Sequence, residues 1–354
     1  MQALRLMEWK SDPVLDEVPD PEPGPGEVVV QVGAAGACHS DLHLMHEFEP
    51  GLLPWGPPFT LGHENAGWVH AVGAGVRGLE PGQPVAVVGA WGCGTCRHCL
   101  DGLETYCERP DLAPVPGGGG GLGLDGGMAE YLWVPAARHV VPLPDGLEPV
   151  DAAPLTDAGL TPYHAVRRSA AKLGPGATAV MMGVGGLGHL GVQVLKATTA
   201  ARVVAVDSRE SARDLAVRCG ADLALPPSEE LAPRIREYTG GRGADVVIDC
   251  VGSDETLAAA AACARQLGDV TIVGLGGGTL PVSFFGVPYE VSVQTTYWGN
   301  RSELVEVLDL GVRGLLHAET EIYTLADAAR AYEDLAHGTV SGRAVVVPSD
   351  SYHA

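Results

Sequence analysis

An α/β fold is predicted, in which one domain has a doubly wound parallel sheet and a second domain is rich in β-structure. From about Thr161 onward, short apolar runs alternate with helical stretches, which is typical of parallel strands joined by helical crossovers. In about the first 150 residues, apolar runs are instead separated by turns rich in Gly and Pro, as in β-rich domains. The length of 354 residues is sufficient for two or three domains of ordinary size.

The N-terminal part contains three candidate strands and one glycine-rich loop. The strands are predicted over residues 27–32, 69–72 and 84–88, each next to a turn rich in Gly or Pro. Residues 111–127 include five consecutive glycines, 117–121, which predict a conformationally free segment with little packing. Such a loop is either a mobile lid or a surface insertion.

The C-terminal part alternates strands and helices. Strands are predicted over residues 178–182, 202–207, 244–249, 269–273 and 343–347. Helices are predicted up to about residue 198 and over 211–219, 254–267, 302–310 and 325–337. Within 281–296, Val291 and Val293 alternate with polar residues, and this period of two predicts a half-buried strand.

Composition and charge exclude several classes of protein. The chain has 22 Lys and Arg against 44 Asp and Glu, a formal net charge of −22, so it lacks the basic face that nucleic acids or anionic membranes would require. An apolar fraction of 46% excludes wholesale disorder. The first ten residues are too charged for a secretory signal, and five glycines interrupt the uncharged stretch 177–195. A cytoplasmic protein without a membrane span is expected.

A glycine motif marks a candidate nucleotide site. Residues 183–188 read G-x-G-x-x-G directly after a predicted strand and at the start of a predicted helix, and Asp207 ends the next strand. This context predicts a dinucleotide whose pyrophosphate lies at the helix N-terminus. Asp207 favours NAD because its charge would repel a 2′-phosphate, although Arg209 could pair with such a phosphate. The alternative is a glycine-rich packing turn without a ligand. The glycines of the motif are Gly183, Gly185, Gly186 and Gly188.

Four of the eight cysteines, clustered within fifteen positions, mark a candidate metal site. Two residues separate the first cysteine from the second and the second from the third, and seven separate the third from the fourth. The short spacing lets successive thiolates turn toward one centre, and four thiolates close a tetrahedral zinc site. An iron–sulfur cluster or disulfides are the alternatives. The four residues are Cys93, Cys96, Cys99 and Cys107. A second set is dispersed around Cys38, His63 and Asp157, and its spacing alone does not indicate a metal.

The order of these motifs resembles that of the zinc-dependent medium-chain alcohol dehydrogenases, from end to end of the chain. It is most similar to bacterial NAD-dependent secondary-alcohol dehydrogenases, on residues 154–164 and 297–299. The motifs that carry the resemblance are Cys38-x-Ser40-Asp41, Gly62-His63-Glu64, the four-cysteine loop, the glycine motif with Asp207, and the stretch from Tyr297 to Leu304.

The resemblance implies two domains and two zinc ions. A GroES-like catalytic domain would span residues 1–160 and 297–354, with the structural zinc loop at 91–108, and a Rossmann NAD-binding domain would span 161–296. The catalytic zinc would be held by Cys38, His63 and Asp157, where many relatives have a third ligand of Cys. Glu64 would be a nearby or alternate ligand, and Asp41 would orient His63 by accepting its other N–H.

A hydride-transfer mechanism is implied by the same resemblance. Zinc lowers the pKa of the alcohol O–H, and the proton leaves through Ser40 and the nicotinamide ribose to His43. Hydrophobic secondary alcohols and ketones or aldehydes would be interconverted with NAD(H). A polyol or aldehyde dehydrogenase of the same family, or a non-catalytic nucleotide-binding protein, is the alternative.

Most further contacts follow only from the resemblance. By this resemblance, His39 and Arg343 would contact the cofactor. Val251, Gly274 and Leu275 are further candidates on a separate ground, because they follow predicted strands of the parallel sheet, where loops line a cofactor; ordinary strand ends are the alternative. The pocket for a small hydrophobic substrate would be lined by Trp55, Leu122, Phe285, Tyr297 and Trp298. The strand predicted within 281–296 would pair subunits in a homodimer or homotetramer; the alternative is an edge strand that faces solvent.

Overall fold

The computed structural model describes residues 1–348 and divides the chain into two compact units. One unit comprises Met1–Leu160 and Trp298–Ala354, and the other comprises Thr161–Tyr297. The chain returns to the first unit after Tyr297, one residue later than the boundary expected from the sequence. Residues 349–354, at the end of the expected catalytic domain, lie outside the described residues. None of the helices within residues 1–348 is both long and apolar enough to cross a membrane.

The first unit is built mainly of β-strands. Numbered in chain order, its strands are β1 (Gln2–Leu6), β2 (Val14–Glu17), β3 (Val28–Ala37), β4 (Phe59–Thr60), β5 (Glu64–Val72), β6 (Pro84–Val87), β7 (Gly119–Gly120), β8 (Gly123–Leu124), β9 (Tyr131–Val134), β10 (Val140–Pro142), β17 (Thr320–Thr324) and β18 (Arg343–Val347). Its helices are α1 (His39–His46), α2 (Arg97–Leu100), α3 (Pro149–Ala152), α9 (Arg301–Val312) and α10 (Ala328–Ala336).

The central sheet of this unit brings distant parts of the chain together. Its strand order is β10-β6-β5-β3-β18-β17, and β9 also pairs with β3. Strand β3 is antiparallel to both β5 and β18, so the ends of these three strands meet. Valines and alanines of β3 and β18 are buried in a core that α10 covers with Ala328, Ala331 and Leu335. Burial of this apolar surface is the main stabilising contribution to the unit.

The glycine run is packed, contrary to the expectation of a free loop. Residues 118–121 are buried, and residues 119–120 form β7, which pairs with β8. A Cβ on Gly119 would lie 1.8 Å from the carbonyl oxygen of Gly89, so only glycine permits this approach of two backbones. The glycines therefore serve close packing rather than mobility.

The second unit is a doubly wound parallel sheet flanked by helices. Its strands are β11 (Thr178–Met182), β12 (Arg202–Val206), β13 (Leu223–Leu225), β14 (Ala244–Asp249), β15 (Ala264–Ile272) and β16 (Ser292–Thr295). Its helices are α5 (Gly188–Thr198), α6 (Glu210–Arg218), α7 (Leu231–Tyr238) and α8 (Asp254–Cys263), and α4 (Leu160–Arg168) begins at the boundary. All six strands are parallel, and their order across the sheet is β13-β12-β11-β14-β15-β16. Strands β12 and β13 are added on one side of β11, and β14 to β16 are added on the other side. The order of strand addition therefore reverses between β11 and β14, as in dinucleotide-binding sheets.

Two expected elements are shorter than the sequence pattern indicated. The helix expected over 254–267 ends at Cys263, because β15 begins at Ala264 and pairs with Ala244 across an irregular register. The half-buried strand expected within 281–296 is limited to residues 292–295. Pro281 and Pro288 lack an N–H group and so cannot donate to a ladder. The short strand is at the edge of the sheet, paired with β15 alone.

Candidate functional site

Four potential metal ligands meet at the ends of the central strands of the first unit. Cys38 follows β3, His63 directly precedes β5, Glu64 begins β5, and Asp157 follows the 3-10 turn Ala153–Thr156. One ligand atom from each of them lies within 4.8 Å of the others, and all four residues are buried. Asp157 Oδ2 is 4.0 Å from Cys38 Sγ and 3.5 Å from His63 Nε2. The structure thus brings together residues whose spacing along the chain does not by itself indicate a metal.

The strand register and one glycine make room for this cluster. Glu64 is the pairing partner of Gly36 on β3. A Cβ at Gly36 would lie 1.9 Å from Glu64 Oε2, so any larger residue would displace the carboxylate. The ligand positions therefore depend on how closely β3 and β5 approach.

The electrostatics of the cluster favour a cation. Glu64 forms a bidentate pair with the buried Arg343, and Arg343 Nη2 is 4.0 Å from Asp157 Oδ2. Burial, opposed by Arg343, raises the pKa of Glu64 to about 7. Burial by itself lowers the pKa of His63, but Asp41 and Asp157 raise it well above its ordinary value. The negative field that would hold a proton on His63 also attracts a metal ion.

The donor set fits zinc. A thiolate, an imidazole and carboxylate oxygens are the ligands that zinc accepts, and three protein ligands leave a position for substrate. His63 Nδ1 faces the carboxylate of Asp41 at 3.1 Å, which leaves Nε2 directed toward Asp157. Asp41 has no exposed surface, so its charge acts on His63 without screening by water.

Two aromatic side chains adjoin the cluster. Trp298 is 3% exposed; its ring meets that of His63 edge-on at 5.6 Å, and its indole N–H donates to the carbonyl oxygen of Thr156. Tyr332 donates its hydroxyl hydrogen to Asp41. The sequence indicated neither contact. Trp298 was expected to line the substrate pocket, and Tyr332 lies on the apolar face of a helix. Only a phenol at a core position hinted that a polar partner is present.

The four-cysteine loop has the geometry of a thiolate metal site. Sγ of Cys93 is 3.9 Å from that of Cys99, and Sγ of Cys96 is 4.0 Å from that of Cys107. These separations are too long for disulfides, and none of the eight cysteines, all within residues 1–348, forms one. The backbone N–H groups of Cys96 and Cys93 point at sulfurs of Cys93 and Cys107, each over 3.3 Å. Such donors stabilise thiolates, so the loop fits a zinc ion closed off from substrate.

Hydrogen bonds already favour thiolate at one of these cysteines. The hydroxyl and backbone N–H of Thr95, with the N–H of Cys96, lower the pKa of Cys93 to about 6.

The sequence pattern did not reveal a carboxylate that lies behind the loop. Glu104 accepts hydrogen bonds from Gly92 N–H, Arg138 and the buried His139.

The glycine motif of the second unit connects β11 to α5. Gly183 has a φ of +82°, and a Cβ at Gly188 would lie 1.8 Å from Gly183 O, so both glycines are required for the turn. A Cβ at Gly185 would have Arg209 Nη2 as its nearest neighbour, at 4.0 Å, which leaves room for a ligand. Asp207 accepts a hydrogen bond from Val184 N–H over 2.8 Å.

Other expected cofactor residues lie at the carboxyl edge of the same sheet. Val251 follows β14, and Gly274 and Leu275 follow β15. Gly276 N–H donates to the carbonyl oxygen of Val251, so these two loops support each other. Arg343 is in the first unit, where it is 2% exposed and engaged with Glu64.

The remaining expected residues are divided between the two units. Ser40 and His43 lie on α1, and Ser40 Oγ is 3.4 Å from His63 Nε2. His39 is the exposed first residue of that helix. In the first unit, Trp55 donates to the carbonyl of Pro116 and, with Leu122, packs at the edge of the core. In the second unit, Phe285 and Tyr297 are 86% and 41% exposed.

Comparison with protein families matches both units. Residues 24–145 match the alcohol dehydrogenase GroES-like domain, and residues 186–313 match the zinc-binding dehydrogenase domain. The chain belongs to the zinc-binding alcohol dehydrogenase family. Its fold and its oxidoreductase class, both expected from the sequence, are thereby confirmed.

Members of this family resemble the chain over nearly its whole length. An NAD-dependent alcohol dehydrogenase of Sulfurisphaera tokodaii is 36% identical over 98% of this chain and 100% of its own. A D-arabinose 1-dehydrogenase (NADP(+)) of Saccharolobus solfataricus is 31% identical over 97% of each chain. Among solved structures, the Aeropyrum pernix alcohol dehydrogenase has a TM-score of 0.90 and 38% identity, covering 98% of this chain and 100% of its own. Acetophenone reductase from Geotrichum candidum, in complex with NAD, has a TM-score of 0.84 and 31% identity, covering 98% and 97%.

Proposed function

We propose that this dehydrogenase interconverts hydrophobic secondary alcohols and ketones with NAD(H), on a zinc ion held by Cys38, His63 and Asp157. The observation that carries the proposal is the buried cluster of these ligands with Glu64. A protein that only bound nucleotides would need none of them. The second metal, held by the four cysteines of the 91–108 loop, has a structural role because four thiolates leave no position for substrate.

The residues around the cluster can hold and move a proton. When bound, zinc polarises the alcohol or carbonyl oxygen, and the nicotinamide exchanges a hydride with the carbinol carbon. Ser40 Oγ, 3.4 Å from His63 Nε2, is placed to accept the proton of an alcohol at the cluster. His43 is three residues further along α1 and shares its face. Its Nδ1 is 2.7 Å from the exposed carboxylate of Glu47, which gives the proton an outlet to solvent.

Asp207 supports NAD as the cofactor rather than NADP. Its carboxylate accepts hydrogen bonds from the N–H groups of Val184 and Arg209, over 2.8 and 2.9 Å, so its position at the end of β12 is fixed. A 2′-phosphate would meet this charge, whereas ribose hydroxyls can donate to it. Arg209 Nε is 3.4 Å from Asp207, so this arginine is engaged by the same carboxylate. Faster turnover with NADP than with NAD at equal concentration would contradict this assignment.

The preference for secondary alcohols rests on apolar side chains and on one relative. Trp55 and Leu122 are large apolar residues beside the catalytic unit's glycine loop, and an acetophenone reductase acts on an aryl ketone by its name. A sugar or polyol substrate is the second candidate, because one relative is a D-arabinose dehydrogenase. Initial rates on a panel of secondary alcohols, aryl ketones, sorbitol and D-arabinose separate the two. Higher kcat/KM on the sugars would exclude the first candidate.

A homodimer is proposed on the exposed aromatic surface near β16. Phe284, Phe285 and Tyr289 are 74%, 86% and 48% exposed, next to β16, which lies at the edge of the six-stranded sheet. A dimer of such dimers would give the tetramer. Light scattering of the wild type and of Phe284→Asp measures the oligomeric state, and a monomeric wild type would refute the proposal.

A cytoplasmic location is also proposed. It is supported by the eight cysteines, none of which forms a disulfide within the described residues.

Replacement of a single ligand tests the catalytic site. Cys38→Ser is expected to lower zinc from two to one per chain and to abolish turnover, while NAD binding persists. Cys219→Ser is the matched control, because Cys219 is a half-buried cysteine of the second unit outside both clusters. Full activity of Cys38→Ser with its metal content verified would refute the proposed site.

A further inference from the structure

A tyrosine from the C-terminal part of the chain reaches the carboxylate behind the catalytic cluster. Tyr332, on α10, is 3% exposed, and its hydroxyl donates to Asp41 Oδ2 over 2.9 Å. The same carboxylate accepts the N–H of Cys38 over 3.1 Å and faces His63 Nδ1 over 3.1 Å. Asp41 therefore touches two of the residues that hold zinc, and Tyr332 holds Asp41.

We propose that Tyr332 is a positioning residue for the catalytic metal, acting through Asp41 on His63 and Cys38. This inference rests on the metal site proposed above. A carboxylate without exposed surface needs hydrogen-bond donors, since burial of an unsatisfied charge is costly. Tyr332 supplies a neutral donor, so the negative charge is retained for the ligand His63.

The helix pattern does not by itself require a phenol at this place. Ala328, Ala331, Tyr332 and Leu335 form the buried face of α10, and an apolar ring would fill the same space. The hydroxyl has a defined task, because it reaches a carboxylate 291 residues earlier in the chain. Burial, and then the charge of Asp41, raise the pKa of Tyr332 well above its ordinary value, so the hydroxyl stays a donor at working pH.

The hydrogen bond also has a geometric consequence for the metal. Tyr332 fixes the carboxylate of Asp41 where it meets both Cys38 N–H and His63 Nδ1. Without the phenol, Asp41 is free to rotate away from these two groups, and both ligands lose part of their orientation. Outer hydrogen-bond partners of this kind typically contribute about ten- to a hundredfold to metal affinity. A change in both the affinity and the ligand geometry of the metal is thus expected when the hydroxyl is lost.

Tyr332→Phe removes the hydroxyl and keeps the ring. We expect the full-length variant, with zinc in the cysteine loop and cobalt in the catalytic site, to bind cobalt about tenfold more weakly. Its visible cobalt absorption should shift, because the band reports ligand geometry. Tyr323→Phe is the matched control: Tyr323 is also buried in the core of this unit, donates to Asp334 over 3.0 Å and touches no ligand. It should lose some stability and leave the cobalt site unchanged.

Four results would be decisive. Equal cobalt affinity and spectra in wild type, Tyr332→Phe and Tyr323→Phe would overturn the role of Tyr332 and leave the proposed function standing. Failure of the wild type to bind cobalt at the cluster would instead refute the proposed function. If Tyr332→Phe is too unstable to load, Tyr332→His offers a smaller side chain with a donor. Rescue of cobalt affinity by Tyr332→His supports the role, whereas a stably folded Tyr332→His without recovered affinity overturns it.

Discussion

Glu104 is expected to anchor the structural zinc loop to the rest of its unit. Its side chain, only 14% exposed, accepts from Gly92 N–H over 2.8 Å, from His139 Nε2 over 2.8 Å and from Arg138 Nε over 2.9 Å. Gly92 immediately precedes the first cysteine of the loop, so the carboxylate ties the start of the loop to β10 and the turn before it.

The cost of Glu104→Ala can be derived from the donors it would strand. His139 is 1% exposed, and Gly92 N–H is partly buried, so neither regains a full hydrogen bond from water. Each stranded donor costs about 1–3 kcal/mol. The Arg138 side chain is 40% exposed and adds little, because surface ion pairs are weak. The expected total is about 4 kcal/mol, or about a thousandfold in the equilibrium for docking the loop.

Zinc release measures this anchoring, since metal affinity and loop folding are coupled. With both zinc ions loaded, Glu104→Ala should yield the zinc of the cysteine loop to a chelator at concentrations that leave the wild type intact. It should also unfold at lower urea concentration. Glu108→Ala is the control within the same loop, because Glu108 is 47% exposed and its carboxylate is 3.9 Å from His98 Nε2, beyond hydrogen-bond distance. If the two variants released zinc and unfolded alike, the anchoring role of Glu104 would be excluded.

Two further predictions concern the second unit. Gly188→Ala should weaken NAD binding at least tenfold by calorimetry, because its Cβ would lie 1.8 Å from Gly183 O, whereas Gly174→Ala, with open space around it, should bind normally. Unchanged affinity in Gly188→Ala would disprove the close packing of the turn. Asp222→Asn should lose about 1 kcal/mol of stability at neutral pH. Burial alone would raise the pKa of Asp222, but the N–H of Val203 and the ammonium group of Lys196 lower it below its ordinary value of 3.8. The stabilisation by this carboxylate is therefore full above pH 3.8 and is lost as the pH falls below that value. Urea midpoints of wild type and Asp222→Asn should therefore converge in acid, and a constant difference would contradict the assignment.

Most features of the second unit could be predicted from motifs whose residues are close together in the sequence. The strand at residues 178–182, the glycine motif and Asp207 are close in sequence, and their spacing reflects one strand–turn–helix whose geometry is local. The four cysteines are likewise confined to one loop. In both cases the chain has little freedom to place these groups otherwise, so the sequence pattern is sufficient.

Spacing was insufficient where the contacts join distant strands. Cys38, His63 and Asp157 became candidates through a family resemblance, and the sheet explains why, since β3 and β5 pair only after folding. The prediction that the glycine run forms a flexible loop was also wrong, because the packing of that run depends on a part of the chain that is distant in sequence. Local conformational freedom predicts mobility, but the approach of Gly89 to Gly119 uses the absence of side chains for packing.

The fold class, the glycine loop of the parallel sheet and the four-thiolate site could all be predicted from residue order alone. The surroundings of the catalytic cluster could not, because they depend on how the folded strands and helices pack. Tyr332 meets Asp41 across 291 residues, and Arg343 meets Glu64 across 279. Such pairs follow from the packing of α10 and β18 against β3 and its neighbours, and burial there removes the water that would otherwise satisfy each charge. No local pattern records this, because the partners are chosen by the sheet rather than by their neighbours in the chain.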